Sequence, residues 1–420
     1  MNTTQHQDGA GLSPALLAAA PHRLLFFVGA VNVLLAMSWW LLWLIDVRWG
    51  VIGLPTGTPP HNTPFGGWMH AFIMQYQLFP PFMFGFLLTT FPRWIGQPDL
   101  NRWHYVPVGL GLLGGQVSVV GGMLCGQPAM VHIGVVMSIV GWGYGLLHLL
   151  RILLAERRAG KGPTWHAWSC FAGLSFGLIG LLLMAAFLHG AGPWSVVVSI
   201  KLGTFAVLLP IYSTVAHRMF PFFAGNIIPG YRAWRPMLML SLMWVLLLAH
   251  LVLELAHANR WLWPVDAAMA LGSAYVLWRW WPRGKAPGIL WVLFAGFAWL
   301  PIGFALFTIQ SAVYAFGGEF ILGRAPQHAI YIGFFGSLLV AMVTRVTQGH
   351  SGRPMLMPGV GWFAFALLQL VVITRVVAEI APDGYFWQVV AAAGWLIAFL
   401  PWVLRSLSIY LHPRADGRPG

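Results

Sequence analysis

The chain has 420 residues, of which 59% are apolar and only 8% charged. Soluble domains carry about 25% charged residues, so a water-soluble enzyme is excluded, and 28 Phe, 24 Trp and 10 Tyr exclude a disordered chain. The formal net charge is +13, but the basic residues stand singly between apolar runs. That is a pattern of membrane orientation and gives no nucleic-acid surface.

A membrane-spanning helix needs about 20 predominantly apolar residues. Windows of that length predict twelve, at 24–44, 68–91, 105–125, 129–151, 168–189, 194–216, 237–256, 262–281, 288–313, 328–347, 358–378 and 387–410. The expected fold is therefore an all-α polytopic bundle of about twelve spans occupying 24–410, with short tails at 1–23 and 411–420. The first apolar stretch is too long for a signal h-region and has no small-residue cleavage site after it, so it reads as an uncleaved helix. With both termini placed in the cytoplasm, the 23 Lys and Arg residues fall on the inner side with few exceptions. Arg48, Arg260 and Arg324 are outer, Arg375 sits at an outer helix end, and Lys201 lies inside a span. This bias fixes the expected orientation, with the lipid bilayer as the principal partner.

The first span is followed by an outer loop containing His61. His70 then opens the second span, His132 opens the fourth, and His189 closes the fifth. His250 and His257 lie in the last turns of the seventh, and His328 opens the tenth. His61 apart, these six lie at or just below the outer surface. Imidazole is the usual ligand for haem iron and copper, and bundle cores are where such sites are built. His70 and His328 each begin an inward-running helix at one depth, the arrangement that two axial ligands of a b-type haem require. His250, Glu254 and His257 share one face of the seventh span, as a second metal site or a proton site. His189 and His132 are available to complete it, and Glu254 could hold a histidine in one tautomer. Met74 is a candidate soft ligand or simply packing. Lys201, about 10 Å into the sixth span by the helical rise, either snorkels outward or pairs with an anion. Arg375 either pairs with Glu379 one turn on or binds haem propionates. Pro80-Pro81, Pro210 and Pro301 fall within spans and predict kinks whose freed backbone groups need other partners. The cysteines, Cys125 and Cys170, lie on opposite sides of the membrane, so no disulfide is expected. No C-x-x-C-H exists for covalent haem attachment.

Several stretches resemble the NnrS family of membrane proteins, which is associated with denitrification and nitric oxide stress. Met342-Val343-Thr344-Arg345-Val346-Thr347-Gln348-Gly349-His350-Ser351-Gly352-Arg353-Pro354, preceded by His328-Ala329-Ile330, is similar to the family's H-A-L…M-T-R-V-x-L-G-H-T-G-R-P. Lys201-Leu202-Gly203 with His217-Arg218-Met219-Phe220-Pro221-Phe222-Phe223 is similar to K-L-G…H-R-M-x-P-F-F. Gly85-Phe86-Leu87-Leu88-Thr89 through Pro92-Arg93-Trp94-Ile95-Gly96 is similar to G-F-L-L-T-A-x-P-N-W-T-G. The resemblance implies a twelve-span domain containing haem and copper in a bacterial inner membrane. It also implies a role in nitric oxide metabolism, sensing or tolerance, and leaves open whether a substrate is turned over. Met69-His70-Ala71-Phe72-Ile73 departs from the family's W-H-A-H-E by one histidine and one acid, which puts a metal set or proton chemistry using those positions in doubt. The roles of Lys201, His217, Arg218, Arg345, His350 and Arg353 are not given by the resemblance. His217 and His350 could bind a headgroup, a propionate or an inner-side metal, and the favoured expectation is electrostatic capping of inner helix ends.

The outer-depth histidines of the second and tenth spans are also similar in placement to those of haem-copper oxidase and nitric oxide reductase catalytic subunits. The sixth span, however, has Ser195-Val196-Val197-Val198-Ser199 and no histidine near its outer end, so a three-histidine copper site is not reproduced and oxygen reduction is not expected. Two rival functions stand beside the haem reading: a cofactor-free proton-coupled transporter, and an electron carrier fed by quinol or another electron-transfer partner.

Overall fold

In lipid, an apolar segment satisfies its backbone polar groups by forming a helix. The computed structural model describes residues 12–55 and 66–417, and every predicted span is helical in it. In chain order the long helices are α1 (Pro21–Trp49), α2 (Gly66–Ile95), α3 (Val106–Cys125), α4 (Pro128–Arg158), α5 (Trp165–Leu188), α6 (Trp194–Ile227), α7 (Met237–Leu255), α8 (Leu262–Trp280), α9 (Gly288–Gly317), α10 (Ala325–His350), α11 (Gly359–Val377) and α12 (Gly384–Leu411). Among the described residues there is no strand, and eleven of these helices are long and apolar enough to cross a membrane. The twelfth, α8, has 19 residues but carries Asp266 and Arg279, which lower its hydropathy. His61 and Arg418 lie outside the described residues.

The first and last described segments of the chain meet at one face. The Ser13 amide donates to the Leu411 carbonyl at 2.9 Å. Arg23 donates through Nε to the Tyr410 carbonyl at 2.8 Å and through a terminal nitrogen to the His412 carbonyl. α1 therefore begins at Pro21, three residues before the apolar window. His22 and Arg23 are buried within it because α12 supplies acceptors for the guanidinium. This face, rich in arginine, is called inner below.

The closest helix pair is α3–α4. A Cβ on Gly111 would lie 2.6 Å from the Gly141 Cα, and one on Gly134 would lie 2.6 Å from the Gly115 carbonyl oxygen. Small residues at helical spacing let the backbones touch, as is common between membrane helices, where dispersion contacts drive association.

Three helices are interrupted by π-helical turns: Met74–Leu78 in α2, Gly203–Leu208 in α6 and Ala329–Gly336 in α10. Prolines follow two of them. Pro81 has no N–H for the Gln77 carbonyl, and Asn32 of α1 donates to that carbonyl instead, at 2.8 Å. Where α6 changes register, the Ser199 carbonyl accepts from the Tyr76 hydroxyl at 2.6 Å and the Ile200 carbonyl accepts from Gln75 Nε2 at 3.1 Å. The backbone defect implied by Pro80-Pro81 is thus absorbed by a wider turn and by a neighbouring side chain. In α9 the break falls at Ala298, between the helical stretches Gly288–Phe297 and Trp299–Gly317.

Candidate functional site

The three π-helical turns surround one cavity in the outer half of the bundle. Its volume is about 250 Å³. His70 reaches it from α2 and His328 from α10, with Trp40, Trp395 and Tyr331 among its walls and Arg324 and Arg375 on its lining. The His70 ring stacks on Trp40, with centroids 4.0 Å apart and planes 14° from parallel, which fixes its orientation. His328 Nδ1 lies 2.9 Å from the Arg324 carbonyl. A carbonyl only accepts, so Nδ1 carries the proton and Nε2 keeps its lone pair, the tautomer in which imidazole ligates metals.

A hydrogen-bonded knot of side chains from α2, α6 and α10 borders the cavity. Gln75 Nε2 donates to Thr204 Oγ1 at 3.1 Å and to Tyr331 Oη at 2.5 Å, and Thr204 and Tyr331 also bond each other. Each residue stands on a different π-helical turn. Such turns are frequent at functional sites, and here the wider register presents a polar side chain from each helix at one level. Gly203 permits the approach, since a Cβ there would lie 2.3 Å from Gln75 Oε1.

Lys201 also lines the cavity and is ion-paired with Glu254 of α7. Of the two readings of this lysine, the structure therefore shows the pairing. The other oxygen of Glu254 lies 3.6 Å from His250 Nε2. His250 is fully buried, stacks on Phe205 at 4.0 Å and donates through Nδ1 to Asp266 at 2.6 Å. Asp266 in turn accepts from Ser311 Oγ at 3.2 Å. Two bonded pieces thus lie end to end, Ser311–Asp266–His250 and Glu254–Lys201, the second reaching the cavity wall, with a gap of 3.6 Å between His250 Nε2 and Glu254 that no hydrogen bond closes.

The remaining candidates are dispersed. His132 and His189 face each other, with ring centroids 4.8 Å apart, at the outer ends of α4 and α5. His257 lies just past α7 with a positive φ of 54°. Neither arrangement joins His250, and no group of three or more His, Cys, Asp or Glu positioned to hold a metal exists among the described residues. Arg375 does two things: it pairs with Glu379 at 2.6 Å and lines the cavity. Met74 is a lining residue as well.

His217 does not end its helix, because α6 continues to Ile227 through the apolar Pro221-Phe222-Phe223. It is buried and hydrogen-bonded to His166 at 2.9 Å, an inter-helix contact where capping was expected. His350 does close α10, and its ring lies 4.0 Å from that of His22. Arg218 stacks on Trp94 at 4.4 Å and Arg345 on Phe223 at 3.9 Å. Gln348 accepts from Arg405 at 2.9 Å and donates to the Pro354 carbonyl at 3.0 Å, holding the segment that carries Arg353. These inner motif residues tie helices and loops together, and none of them reaches the outer cavity.

Gln75, Thr204, Tyr331, Arg324 and Asp266 were not among the sequence candidates. Asp266 had a signal, since an acid within a span is a functional hypothesis by default. Gln75 and Thr204 had none, being neutral residues without a motif of their own.

A profile of the NnrS protein family matches residues 16–414. The chain belongs to the NnrS family. No curated relative matches it. The matched region runs from the turn before α1 to beyond α12, so the cavity, the three π-helical turns and the Lys201–Glu254–His250 line all lie within the family's own domain.

Proposed function

We propose that this NnrS protein binds a b-type haem in the outer cavity, through His70 and His328, and uses it in the cellular response to nitric oxide in a bacterial inner membrane. One observation carries the reading: imidazoles on helices far apart in sequence converge on one aromatic-walled cavity that also carries two guanidinium groups. The donor set suits the group. The His328 tautomer leaves a ligand nitrogen free, Trp40 holds the His70 ring, and Arg324 and Arg375 match the carboxylates of haem propionates. When bound, haem would supply a redox-active iron, which nitric oxide would reach only by displacing one of the two imidazoles. The protein's own groups orient the imidazoles, exclude bulk water and hold protons.

The line from Asp266 to Lys201 belongs to the last task. Lys201 presents a cation at the cavity wall, paired with Glu254, whose other oxygen lies 3.6 Å from His250 Nε2. Asp266 fixes the His250 tautomer, so Nε2 is the nitrogen that exchanges a proton with Glu254. Copper, the second metal suggested by family resemblance, finds a poorer set. His250 Nε2 and Glu254 offer two donors, one short of the smallest three-ligand protein sites.

The test is a reduced-minus-oxidised spectrum and a pyridine haemochrome assay on detergent-purified protein, with metal analysis. A haem band is expected that disappears in His70→Ala and in His328→Ala, while His132→Ala keeps it. A colourless preparation, or a band unchanged in both variants, overturns the reading and favours a cofactor-free transporter. Reduction of the haem by quinol alone, with no spectral response to nitric oxide, favours the electron carrier.

A further inference from the structure

A second cavity, of about 70 Å³, lies further in along the same bundle core. Phe82 and Phe86 of α2, and Leu338, Leu339, Met342 and Val343 of α10, form much of its wall, with Tyr212 and Val215 of α6 and Phe26 of α1 also lining it. The three helices that surround the outer cavity thus surround the inner one too, further along the chain by a few turns. Between the two stands a partition one ring thick. Phe335 packs against Tyr331, which lines the outer cavity, at 5.7 Å between centroids, and against Tyr212, which lines the inner one, at 4.7 Å. Phe79 closes the partition, 5.8 Å from Phe335 and 6.0 Å from Tyr212.

Size and chemistry limit the occupant. The inner cavity has under a third of the volume of the outer one and an almost wholly apolar lining, so it suits a molecule far smaller than a porphyrin. It exceeds the ~10–15 Å³ that one water requires, yet a water needs two to four polar partners, and apolar cavities of this kind stay dry. Ions are excluded for the same reason. A neutral, weakly polar molecule of two or three atoms meets every condition.

We propose that the inner cavity is a binding site for a small neutral gas, which it concentrates within the bundle and passes through the Phe79–Tyr212–Phe335 partition to the outer cavity. The site itself stands on the geometry. Its assignment to nitric oxide rests on the haem reading above.

Xenon is the probe. Crystals of the full chain pressurised with xenon should show one anomalous peak between Phe82, Leu339 and Val343. The peak should be lost in Val343→Phe and in Val215→Phe, which fill the cavity from two different helices. In the same variants the haem band should persist and nitric oxide recombination after flash photolysis should slow. Ordered water in the cavity, the absence of a xenon peak in the wild-type protein, or unchanged recombination in both filled variants overturns the inference. If the purified protein is colourless but the xenon peak is present, the gas site stands and the haem reading falls.

Discussion

Gly203 shows how a single residue type can decide the chemistry around it. It lies two positions after Lys201 on the π-helical turn of α6, and the space a side chain would occupy is filled by Gln75. Gly203→Ala should push Gln75 away from Thr204 and Tyr331. The expected result is reduced haem content in the purified protein with the helical signal in circular dichroism unchanged. Equal haem occupancy in variant and wild type would show that the knot does not support the site. Lys201 and Glu254 were each visible in the sequence as costly ions within spans, yet their pairing was not, because 53 residues separate them and no local spacing relates them. The same holds for His250 and Asp266. The i,i+4 rule related His250 to Glu254, whereas the stronger partner came from the next helix.

Apolar runs mark helices reliably because each run satisfies its own backbone groups, and all twelve windows emerged as helices, ten of them with both ends within five residues of the predicted ones. The largest difference is α6, which continues past 216 to Ile227 since Phe220, Phe223 and Ala224 bury against neighbours. The π-helical turns could not be read in advance. They depend on donors that other helices supply, such as Asn32 for the Gln77 carbonyl and Tyr76 for the Ser199 carbonyl. The α3–α4 contact gives a test at this scale. Gly134→Leu places a side chain against the Gly115 carbonyl and the Val119 amide, backbone atoms that cannot rotate away. Overpacking of this kind costs about 1–3 kcal/mol, to be measured as reduced stability to heat in detergent. Gly143→Leu, where a Cβ meets nothing within 4 Å, is the control and should leave stability unchanged.

The bundle closes by bringing α1 and α12 together. At the outer face, Arg48 of α1 donates to Asp383, just before α12, at 2.8 Å. The Arg48 hydrogen bond, followed by the Phe386 amide, holds the Asp383 carboxyl below its ordinary value. A lowered folded-state pKa stabilises above the unfolded value of about 3.9, and the contribution is lost as pH falls through the folded one. Because the pair is exposed, Asp383→Asn should lower the melting temperature only slightly at neutral pH and low salt. The difference should vanish at high salt and in acid. A deficit that persists under both conditions would point to the Asp383 cap on the Phe386 amide instead.

The sequence by itself determined that this chain is a membrane bundle, where its helices lie, and which family it resembles. Hydropathy, arginine bias and motif order are properties of consecutive residues, and they survive whatever the packing does. The histidines of α2 and α10 could also be placed at one depth, because depth follows from position along a helix of constant rise. Azimuth does not. Whether two rings at one level share a cavity, and whether an acid finds a lysine or a histidine, depends on how each helix is rotated about its axis. That rotation is set by contacts such as Gly111 on Gly141 and Asn32 on Gln77. Only the tertiary structure could therefore decide that His70 and His328 meet in one cavity, and that His132 and His189 meet each other instead of His250. The same packing of α2, α6 and α10 places an apolar pocket inward of the polar cavity.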